Sequence, residues 1–296
     1  MKKNNSLLIE VNHTIGKAIA KKARIGYAKT IVGSFPDNET YFRVPCDVKG
    51  KNVFLLVDFA KVANDLLITC LLATKTLKEM KAKKIFLIAP YMPYLRQDHA
   101  FHKGESVSGF TIAKFLSQLF DGVITIDPHL HRVENMSGFF SCKTQKLTAT
   151  KTIADHINKK SKNVVLVGPD AESKQWIKQI ADFNNNEFVV AKKKRYGSRK
   201  VEVRISKGNV EMKGKKAIIV DDIISTGHTI MEAARALKKE KVKSIECYCV
   251  HGLFMEGAME KIKKMNIAVR ATNTVENKAN IVDISKVIAE GVKKWV

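Results

Sequence analysis

The chain alternates short β-branched runs with segments of helical periodicity along almost its whole length. Apolar residues at helical spacing predict helices over residues 64–80 and 229–239. Strands are predicted at residues 7–11, 53–58, 85–89, 123–127, 164–167, 217–221 and 245–250. Several of these runs are continuously apolar, which is typical of strands covered on both faces. The alternation therefore predicts an α/β protein with a mainly parallel sheet flanked by helices.

The chain also repeats itself. Residues 50–58, followed by a helix and a strand at 84–88, match residues 214–221, followed by a helix and a strand at 244–248. The match predicts two similar α/β domains of ordinary size, residues 1–144 and 145–284. The C-terminal segment 285–296 has the pattern of an amphipathic helix, and we expect it to return to the first domain.

The formal net charge of +23 indicates an anionic partner, which could be nucleic acid, a membrane surface or a phosphorylated metabolite. The cations are dispersed and aromatic residues make up only 7%, which argues against a nucleic-acid surface. No apolar run approaches the roughly 18 residues of a membrane helix, and the first residues are polar. Five cysteines without C-x-x-C spacing indicate neither a disulfide framework nor a zinc site. We expect a cytoplasmic protein with no membrane or nucleic-acid partner.

One segment carries a pattern suited to phosphate chemistry. A predicted strand ends in two carboxylates, and a short Ser/Thr/Gly turn then leads into a helix, over Asp221, Asp222, Ser225, Thr226, Gly227, His228 and Thr229. Such a turn offers amide and hydroxyl donors to an anion. Carboxylates beside a phosphate suit sugar hydroxyls or a divalent cation, so the pattern predicts a sugar phosphate. The alternative is that Ser225 or Thr226 only caps the helix and the aspartates are solvated.

Residues 221–229 resemble the phosphoribosyl diphosphate (PRPP) binding motif of the type I phosphoribosyltransferase fold. Other stretches resemble ribose-phosphate pyrophosphokinase, also called PRPP synthetase, in that family's order: residues 35–39, 90–98, 102–108, 127–129, 168–170 and 193–195. The resemblance covers nearly the whole chain. It implies two domains of type I phosphoribosyltransferase-like fold and transfer of the β,γ-diphosphoryl group of ATP to the anomeric hydroxyl of ribose 5-phosphate, giving PRPP and AMP.

The resemblance also assigns roles to residues. Ribose 5-phosphate would be bound by Arg195, Asp221, Asp222, Ser225, Thr226, Gly227, His228 and Thr229. ATP would be bound by Phe35, Asp37, Asn38 and Glu39 across a subunit interface, and by Arg96, Gln97 and Asp98. This sharing implies a homo-oligomer, a dimer or a hexamer. The family usually has Gly at position 38, and Asn tolerates the positive φ that a glycine adopts there.

Magnesium is the implied cofactor. By position alone His131 could serve as well as His129, and the resemblance favours His129 and Asp170 as the Mg²⁺ ligands. Mg²⁺ takes most of its ligands from phosphate and water, so two protein ligands suffice. Lys193 and Arg195 would stabilise the transition state from a loop that can close. The alternative for this cation-rich run is a solvated charged hairpin.

Two other functions remain open at this stage. A phosphoribosyltransferase that consumes PRPP would explain Asp221 to Thr229, but not Phe35 to Glu39 or Arg96 to Asp98. A noncatalytic homologue or regulator would have no need for Lys193, Arg195, His129 and Asp170. The chain has no Walker A loop and no G-x-G-x-x-G fingerprint, which argues against a P-loop kinase and a dinucleotide-binding enzyme.

Overall fold

The computed structural model describes residues 5–100, 102–130, 135–160, 163–196, 200–206 and 208–296, with the backbone alone for residues 193–196 and 200–203. The chain divides into two compact units. The first comprises Met1–Thr148 and Ser285–Val296, and the second comprises Ala149–Ile284.

The first unit is built on a six-stranded parallel sheet with the order β2-β1-β5-β6-β7-β8. Every residue of β1 and β7 is buried, because helices cover both faces of the sheet. Strands β3 and β4 form a separate antiparallel hairpin. The elements are β1 (Ser6–Glu10), α1 (Gly16–Ala23), β2 (Gly26–Lys29), β3 (Ile31–Ser34), β4 (Thr40–Arg43), β5 (Asn52–Leu56), α2 (Ala63–Glu79), β6 (Lys84–Ala89), α3 (Ser108–Leu119), β7 (Gly122–Ile126) and β8 (Lys143–Leu147).

The second unit holds a seven-stranded sheet with the order β11-β10-β9-β12-β13-β14-β15, in which only the β10–β11 pair is antiparallel. Its core joins β9, β12 and β13 to α6 and includes the buried thiols of Cys247 and Cys249. The elements are α4 (Thr150–Lys160), β9 (Val164–Gly168), α5 (Lys174–Asn184), β10 (Glu187–Tyr196), β11 (Lys200–Ser206), β12 (Lys216–Ile224), α6 (His228–Lys239), β13 (Ser244–Gly252), α7 (Ala258–Lys263), β14 (Ala268–Thr272) and β15 (Asn280–Val282).

The two sheets share one strand order. The sequence β2-β1-β5-β6-β7-β8 in the first sheet corresponds to β10-β9-β12-β13-β14-β15 in the second. The two repeated segments found in the sequence lie on β5 and β12, which take the same place in this order. The α/β prediction is confirmed.

The boundary between the units differs from the predicted one. Residue 144 lies inside β8, which pairs with β7 at the edge of the first sheet. Cutting the chain there would break a strand that completes this sheet, so the first unit extends to Thr148. Among the described residues, no helix is long and apolar enough to cross a membrane.

The C-terminal helix α8 (Ser285–Lys293) belongs to the first unit. At its start, Lys22 Nζ of α1 donates a hydrogen bond to Ser285 Oγ. Beyond its end, the Trp295 ring lies 5.1 Å from the Phe86 ring between centroids, and Lys143 Nζ lies 4.6 Å from the Trp295 centroid. A Cβ at Gly122 would stand 2.7 Å from Trp295 Cζ3, so only glycine fits beneath the ring. Trp295 therefore anchors the helix to β6, β7 and β8.

We expect Trp295→Ala to lower the free energy of unfolding of the first unit by about 2 kcal/mol, because the half-buried ring loses its aromatic and cation–π contacts. Thermal denaturation would measure the change. Val296→Ala, at an exposed neighbouring position, is the matched control and should leave the melting temperature unchanged. Equal melting temperatures for Trp295→Ala and wild type would contradict the anchoring role.

Candidate active site

A pair of aspartates lies near the carboxyl end of the central strand β12. Asp221 and Asp222 are buried, with relative exposures of 9% and 8%. Asp221 is in register with Cys249 of β13, and the strand continues to Ile224, beyond the end predicted at residue 221. The carboxyl ends of parallel strands are where open α/β sheets bind ligands. The strand thus places both carboxylates beside the ligand-binding edge of the second sheet.

Burial raises the pKa of Asp221 well above its usual value, and the nearby carboxylates of Asp222 and Asp170 raise this pKa further. The Asp222 amide donates to Asp221 Oδ1 at 3.1 Å, and the Ile223 amide donates to Asp222 Oδ1 at 2.7 Å. These donors fix the orientation of the two carboxylates. Negative groups gathered in this way favour a cation or hydroxyl donors as their ligand.

The turn after β12 has the geometry of an anion cradle. Gly227 adopts a φ of +74° and α6 begins at His228, with no side-chain hydrogen bond capping the helix. The alternative interpretation, that Ser225 or Thr226 only caps this helix, is therefore wrong. The first backbone bond into the turn runs from the Met231 amide to the Gly227 carbonyl at 3.0 Å. The amides of the residues between Gly227 and Met231 belong to the first turn of α6. First-turn amides attract anions at a helix N-terminus.

Gly227 is required by its conformation and by its surroundings. A Cβ there would stand 3.0 Å from Ile262 Cδ1 and 3.3 Å from Ala258 Cβ, both on α7. The positive φ adds a separate cost for any side chain. The close approach of α7 holds the turn against the rest of the unit.

We expect Gly227→Ala to destabilise the second unit by about 1–2 kcal/mol and to weaken anion binding at the turn. Gly214→Ala is the matched control, because Gly214 has a φ of +73° in the same unit but no atom within 4 Å of its Cβ position. The control should show the conformational cost without the contact with α7. Equal losses of melting temperature and of anion affinity in both variants would contradict a special role for Gly227.

The remaining motif residues differ in their environments. Ser225 and Thr229 are half-buried and Thr226 is exposed. His228 Nε2 lies 3.0 Å from Glu232 Oε1, one helical turn along α6, and the imidazole side chain is 64% exposed. The sequence did not predict this pairing of His228 with Glu232.

Asp170 follows β9 and is held by the start of α5. Its Oδ1 accepts a hydrogen bond from the Ser173 amide at 2.9 Å, and Ser173 Oγ donates to the Asp170 carbonyl at 2.6 Å. Ser173 is buried, and a Cβ at Gly168 would stand 2.5 Å from its Oγ. Ser173 was missed in the sequence, although a serine three residues after an aspartate is a known local hydrogen-bonding pattern. The Asp170 carboxylate lies near enough to Asp221 to raise the pKa of that buried carboxyl group.

The carboxylates of Asp170, Asp221 and Asp222 suit Mg²⁺ better than a metal ion that takes all of its ligands from the protein. Within the described ranges, no group of three or more His, Cys, Asp or Glu side chains is arranged to hold a metal ion. Neighbouring carboxylates without a closed cage suit Mg²⁺, which keeps water and substrate oxygens as ligands. His129, the other predicted ligand, follows β7 in the first unit and is half-buried. His131 lies outside the described residues.

Lys193 and Arg195 lie on β10, so the prediction that they lie on a loop is wrong. The backbone at Lys193 is in register with Val203, and that at Arg195 with Val201, in the antiparallel β10–β11 pair. Strand β11 contains the β-branched residues Val201, Val203 and Ile205, which favour an extended, paired backbone over a loop. The alternative of a charged hairpin therefore describes the backbone correctly.

Phe35 to Glu39 form the tip of the β3–β4 hairpin. The Phe35 amide donates to the Glu39 carbonyl at 2.8 Å, and the Glu39 amide donates to Asp37 Oδ1 at 3.1 Å. Asn38 has a φ of +69°, as predicted for a residue at a glycine position. Phe35 is 50% exposed and packs edge-on against Tyr41. The turn is thus fully formed with its side chains facing outward.

Arg96, Gln97 and Asp98 lie in the loop after β6. Arg96 is exposed. Gln97 Oε1 accepts a hydrogen bond from Ser108 Oγ at 2.9 Å, and the Gln97 carbonyl accepts one from the Gly109 amide at 3.1 Å, so Gln97 ties the loop to α3. Asp98 Oδ1 lies 2.7 Å from His99 Nδ1. Ser108 and His99 were missed as supports of this loop.

Comparison with known proteins identifies the family. Residues 7–119 match the family model for the N-terminal domain of ribose phosphate pyrophosphokinase, and residues 144–286 match the phosphoribosyl transferase domain. The chain is 30% identical to the ribose-phosphate pyrophosphokinase of Pyrococcus furiosus, over 86% of this chain and 88% of that protein. The chain belongs to the ribose-phosphate pyrophosphokinase family. The ribose-phosphate pyrophosphokinase of Methanobrevibacter smithii is 33% identical over the same shares of the two chains.

A solved structure supports the fold of this ribose-phosphate pyrophosphokinase family member. The crystal structure of phosphoribosylpyrophosphate synthetase from Mycobacterium smegmatis superimposes with a TM-score of 0.84, covers 98% of both chains and shares 23% sequence identity. At this identity the likeness concerns the fold. The predicted family and fold class are both confirmed.

Proposed function

We propose that the protein is a ribose-phosphate diphosphokinase, which transfers the β,γ-diphosphoryl group of ATP to the anomeric hydroxyl of ribose 5-phosphate and releases AMP and PRPP. The observation that carries the proposal is the buried Asp221–Asp222 pair on β12, followed by an anion-binding turn, in a member of the ribose-phosphate pyrophosphokinase family. The relatives named above carry the same activity in their names.

Ribose 5-phosphate binds at the carboxyl end of β12 in this proposal. The amides and hydroxyls of Ser225, Thr226 and Thr229 hold the 5-phosphate, together with the amides of Gly227 and His228. Asp221 and Asp222 accept hydrogen bonds from the ribose hydroxyls, which places the anomeric oxygen for attack. Binding energy used for such alignment lowers the barrier to the reaction.

Mg²⁺ is the proposed cofactor, held by Asp170 and His129 together with substrate oxygens. When bound, it neutralises charge on the phosphates of ATP. Asp170 is suited to this role because the Ser173 amide already fixes one carboxylate oxygen and because a second carboxyl group, that of Asp221, lies nearby.

Lys193 and Arg195 are the proposed catalytic residues. Charge builds on the transferred and leaving phosphoryl groups during the reaction, and fixed cations lower the energy of that state. Their position on β10, the neighbour of β9 on the side opposite to β12, keeps both residues within the unit that carries Asp221. Arg195 also contacts ribose 5-phosphate in this proposal.

ATP binds through two groups of residues in the proposal. Arg96, Gln97 and Asp98 contact the nucleotide from their own subunit, with Arg96 as the exposed cation and Gln97 as the residue that fixes the loop. Phe35, Asp37, Asn38 and Glu39 contact the adenine end in a second subunit of a homo-oligomer, a dimer or a hexamer. Support for the shared site comes from the exposed apolar side chains on and beside the hairpin: Tyr27, Ile31, Val32, Phe35 and Tyr41.

The activity is tested by incubating the pure protein with ribose 5-phosphate, ATP and Mg²⁺. We expect AMP and PRPP to form in equal amounts. Chromatography of the nucleotides would measure AMP, and a coupled assay would measure PRPP. Omission of ribose 5-phosphate is the control and should abolish AMP formation. A folded sample that forms neither product, or that forms ADP in place of AMP, would contradict the proposed reaction.

A further inference from the structure

The segment after β13 donates backbone hydrogen bonds to the peptide units that lead into the turn carrying Ser225 and Thr226. The Leu253 and Phe254 amides donate to the Ile224 carbonyl at 3.0 and 3.1 Å, and the Met255 amide donates to the Ser225 carbonyl at 3.0 Å. We call residues 253–257 the brace. Its three amides occupy the carbonyls of the two peptide units that lead into the turn.

These hydrogen bonds determine where the turn directs its own amides. A trans peptide unit is planar, and its N–H points opposite to its C=O. All described peptide bonds are trans. With the Ile224 and Ser225 carbonyls turned toward the brace, the Ser225 and Thr226 amides point away from it. Neither amide has an acceptor among the described residues.

The brace is held in an uncommon backbone conformation. Phe254, Glu256 and Gly257 have φ values of +47°, +54° and +71°, and non-glycine residues rarely adopt such values. The Phe254 ring lies against Gly252, where a Cβ would stand 2.3 Å from Cε2, and Asn277 Nδ2 donates to the Gly252 carbonyl at 3.0 Å. A strained backbone persists only when its surroundings fix it, and it clusters at functional sites.

We infer that the brace is a positioning element for the 5-phosphate: its Met255 amide, with those of Leu253 and Phe254, turns the Ser225 and Thr226 amides toward the phosphate. This inference rests on the proposed function. The hydrogen bonds from the brace to the turn are donated by backbone amides. The contribution of Met255 therefore depends on its N–H and not on its side chain, which is 47% exposed.

The test compares two substitutions at one position. Met255→Pro removes the N–H, because proline has none, whereas Met255→Ala keeps it and removes the exposed side chain. We expect Met255→Pro to raise KM for ribose 5-phosphate at least about tenfold, with kcat and KM for ATP changed less than about twofold. Met255→Ala should match wild type in all three constants. Equal KM values for ribose 5-phosphate in two folded variants would overturn the inference.

Wild-type measurements separate this inference from the proposed function. A wild-type protein that neither turns over nor binds ribose 5-phosphate contradicts the proposed function itself. With binding established, hydrogen exchange of the 253–257 peptide gives a test that needs no variant. We expect the Phe254 and Met255 amides to be protected and to exchange more slowly when ribose 5-phosphate is added. Exchange at the rate of an open loop, or unaltered by bound ribose 5-phosphate, would overturn the inference even if Met255→Pro does not fold.

Discussion

Lys193→Ala is expected to lower kcat by about 10²–10³-fold, with the melting temperature unchanged. A cation aimed at charge that develops only in the transition state lowers the activation barrier by about 3–4 kcal/mol. Its loss therefore appears as a lower kcat. Steady-state kinetics at saturating ATP and ribose 5-phosphate would measure the effect, and thermal denaturation would check the fold.

Lys192→Ala is the matched control for this prediction. It removes the same charge from the adjacent position of β10, at a residue that is exposed. We expect kcat within about twofold of wild type, since a dispersed surface charge contributes little to one reaction step. Equal losses in the two variants would mean that the β10 lysines act through their summed charge and that Lys193 has no role of its own.

Asp221→Asn is expected to have two large effects: weaker binding of ribose 5-phosphate and greater stability of the substrate-free protein. It should weaken ribose 5-phosphate binding, because an acceptor for the ribose hydroxyls is lost. It should also raise the melting temperature of the substrate-free protein by several degrees, because a carboxylate buried beside Asp222 and Asp170 is replaced by a neutral amide. Relief of such a buried charge corresponds to about 1–3 kcal/mol.

The pH dependence of this second effect follows from the raised pKa of Asp221. The folded state keeps the proton at pH values where the unfolded state has released it. The contribution of Asp221 to the free energy of unfolding is therefore fully present below the unfolded-state pKa of about 3.9. It is lost as pH rises through the raised pKa of the folded state. The gain from Asp221→Asn should thus be larger at pH 8 than at pH 5, measured without substrate or Mg²⁺.

Asp47→Asn serves as the control of opposite sign. The Lys49 amide and the Lys51 side chain lower the pKa of Asp47, so its carboxylate is favoured in the folded state. This variant should not gain stability at either pH. A decrease in melting temperature for Asp221→Asn at pH 8 would show that the carboxylate is stabilised in the folded protein and would contradict the argument from burial.

The sequence predicted the strands well because continuous apolar runs bounded by Gly, Lys and Asp have few other interpretations. It placed the end of β12 too early: Asp221 and Asp222 are polar, yet pairing with β13 carries the strand through them to Ile224. The resemblance placed Lys193 and Arg195 on a loop that can close, whereas the antiparallel partner β11 keeps their backbone extended. Pairing between strands determined the backbone in both cases.

The residues of the candidate site were predicted from motifs, but the groups that support them were not. Ser173 fixes Asp170, Ser108 fixes Gln97, and the Met255 amide fixes the Ser225 carbonyl. The last contact joins residues that are far apart in the chain through backbone atoms. Such a contact leaves no trace in residue type, so only the structure reveals it.

The shared strand order of the two sheets allows the two units to be compared position by position. At the end of β5, in the place that β12 takes in the second sheet, Asp58 Oδ1 accepts the Ala60 amide at 3.0 Å and the Asp58 amide donates to Asn12 Oδ1 at 2.9 Å. A second carboxylate and the Ser/Thr/Gly turn are missing there. The two units thus present one strand order with different residues at the strand ends, so the chemistry of each unit depends on those residues and not on the scaffold. Grafting residues 221–229 onto the end of β5 would test whether these residues alone can confer anion binding on the first unit.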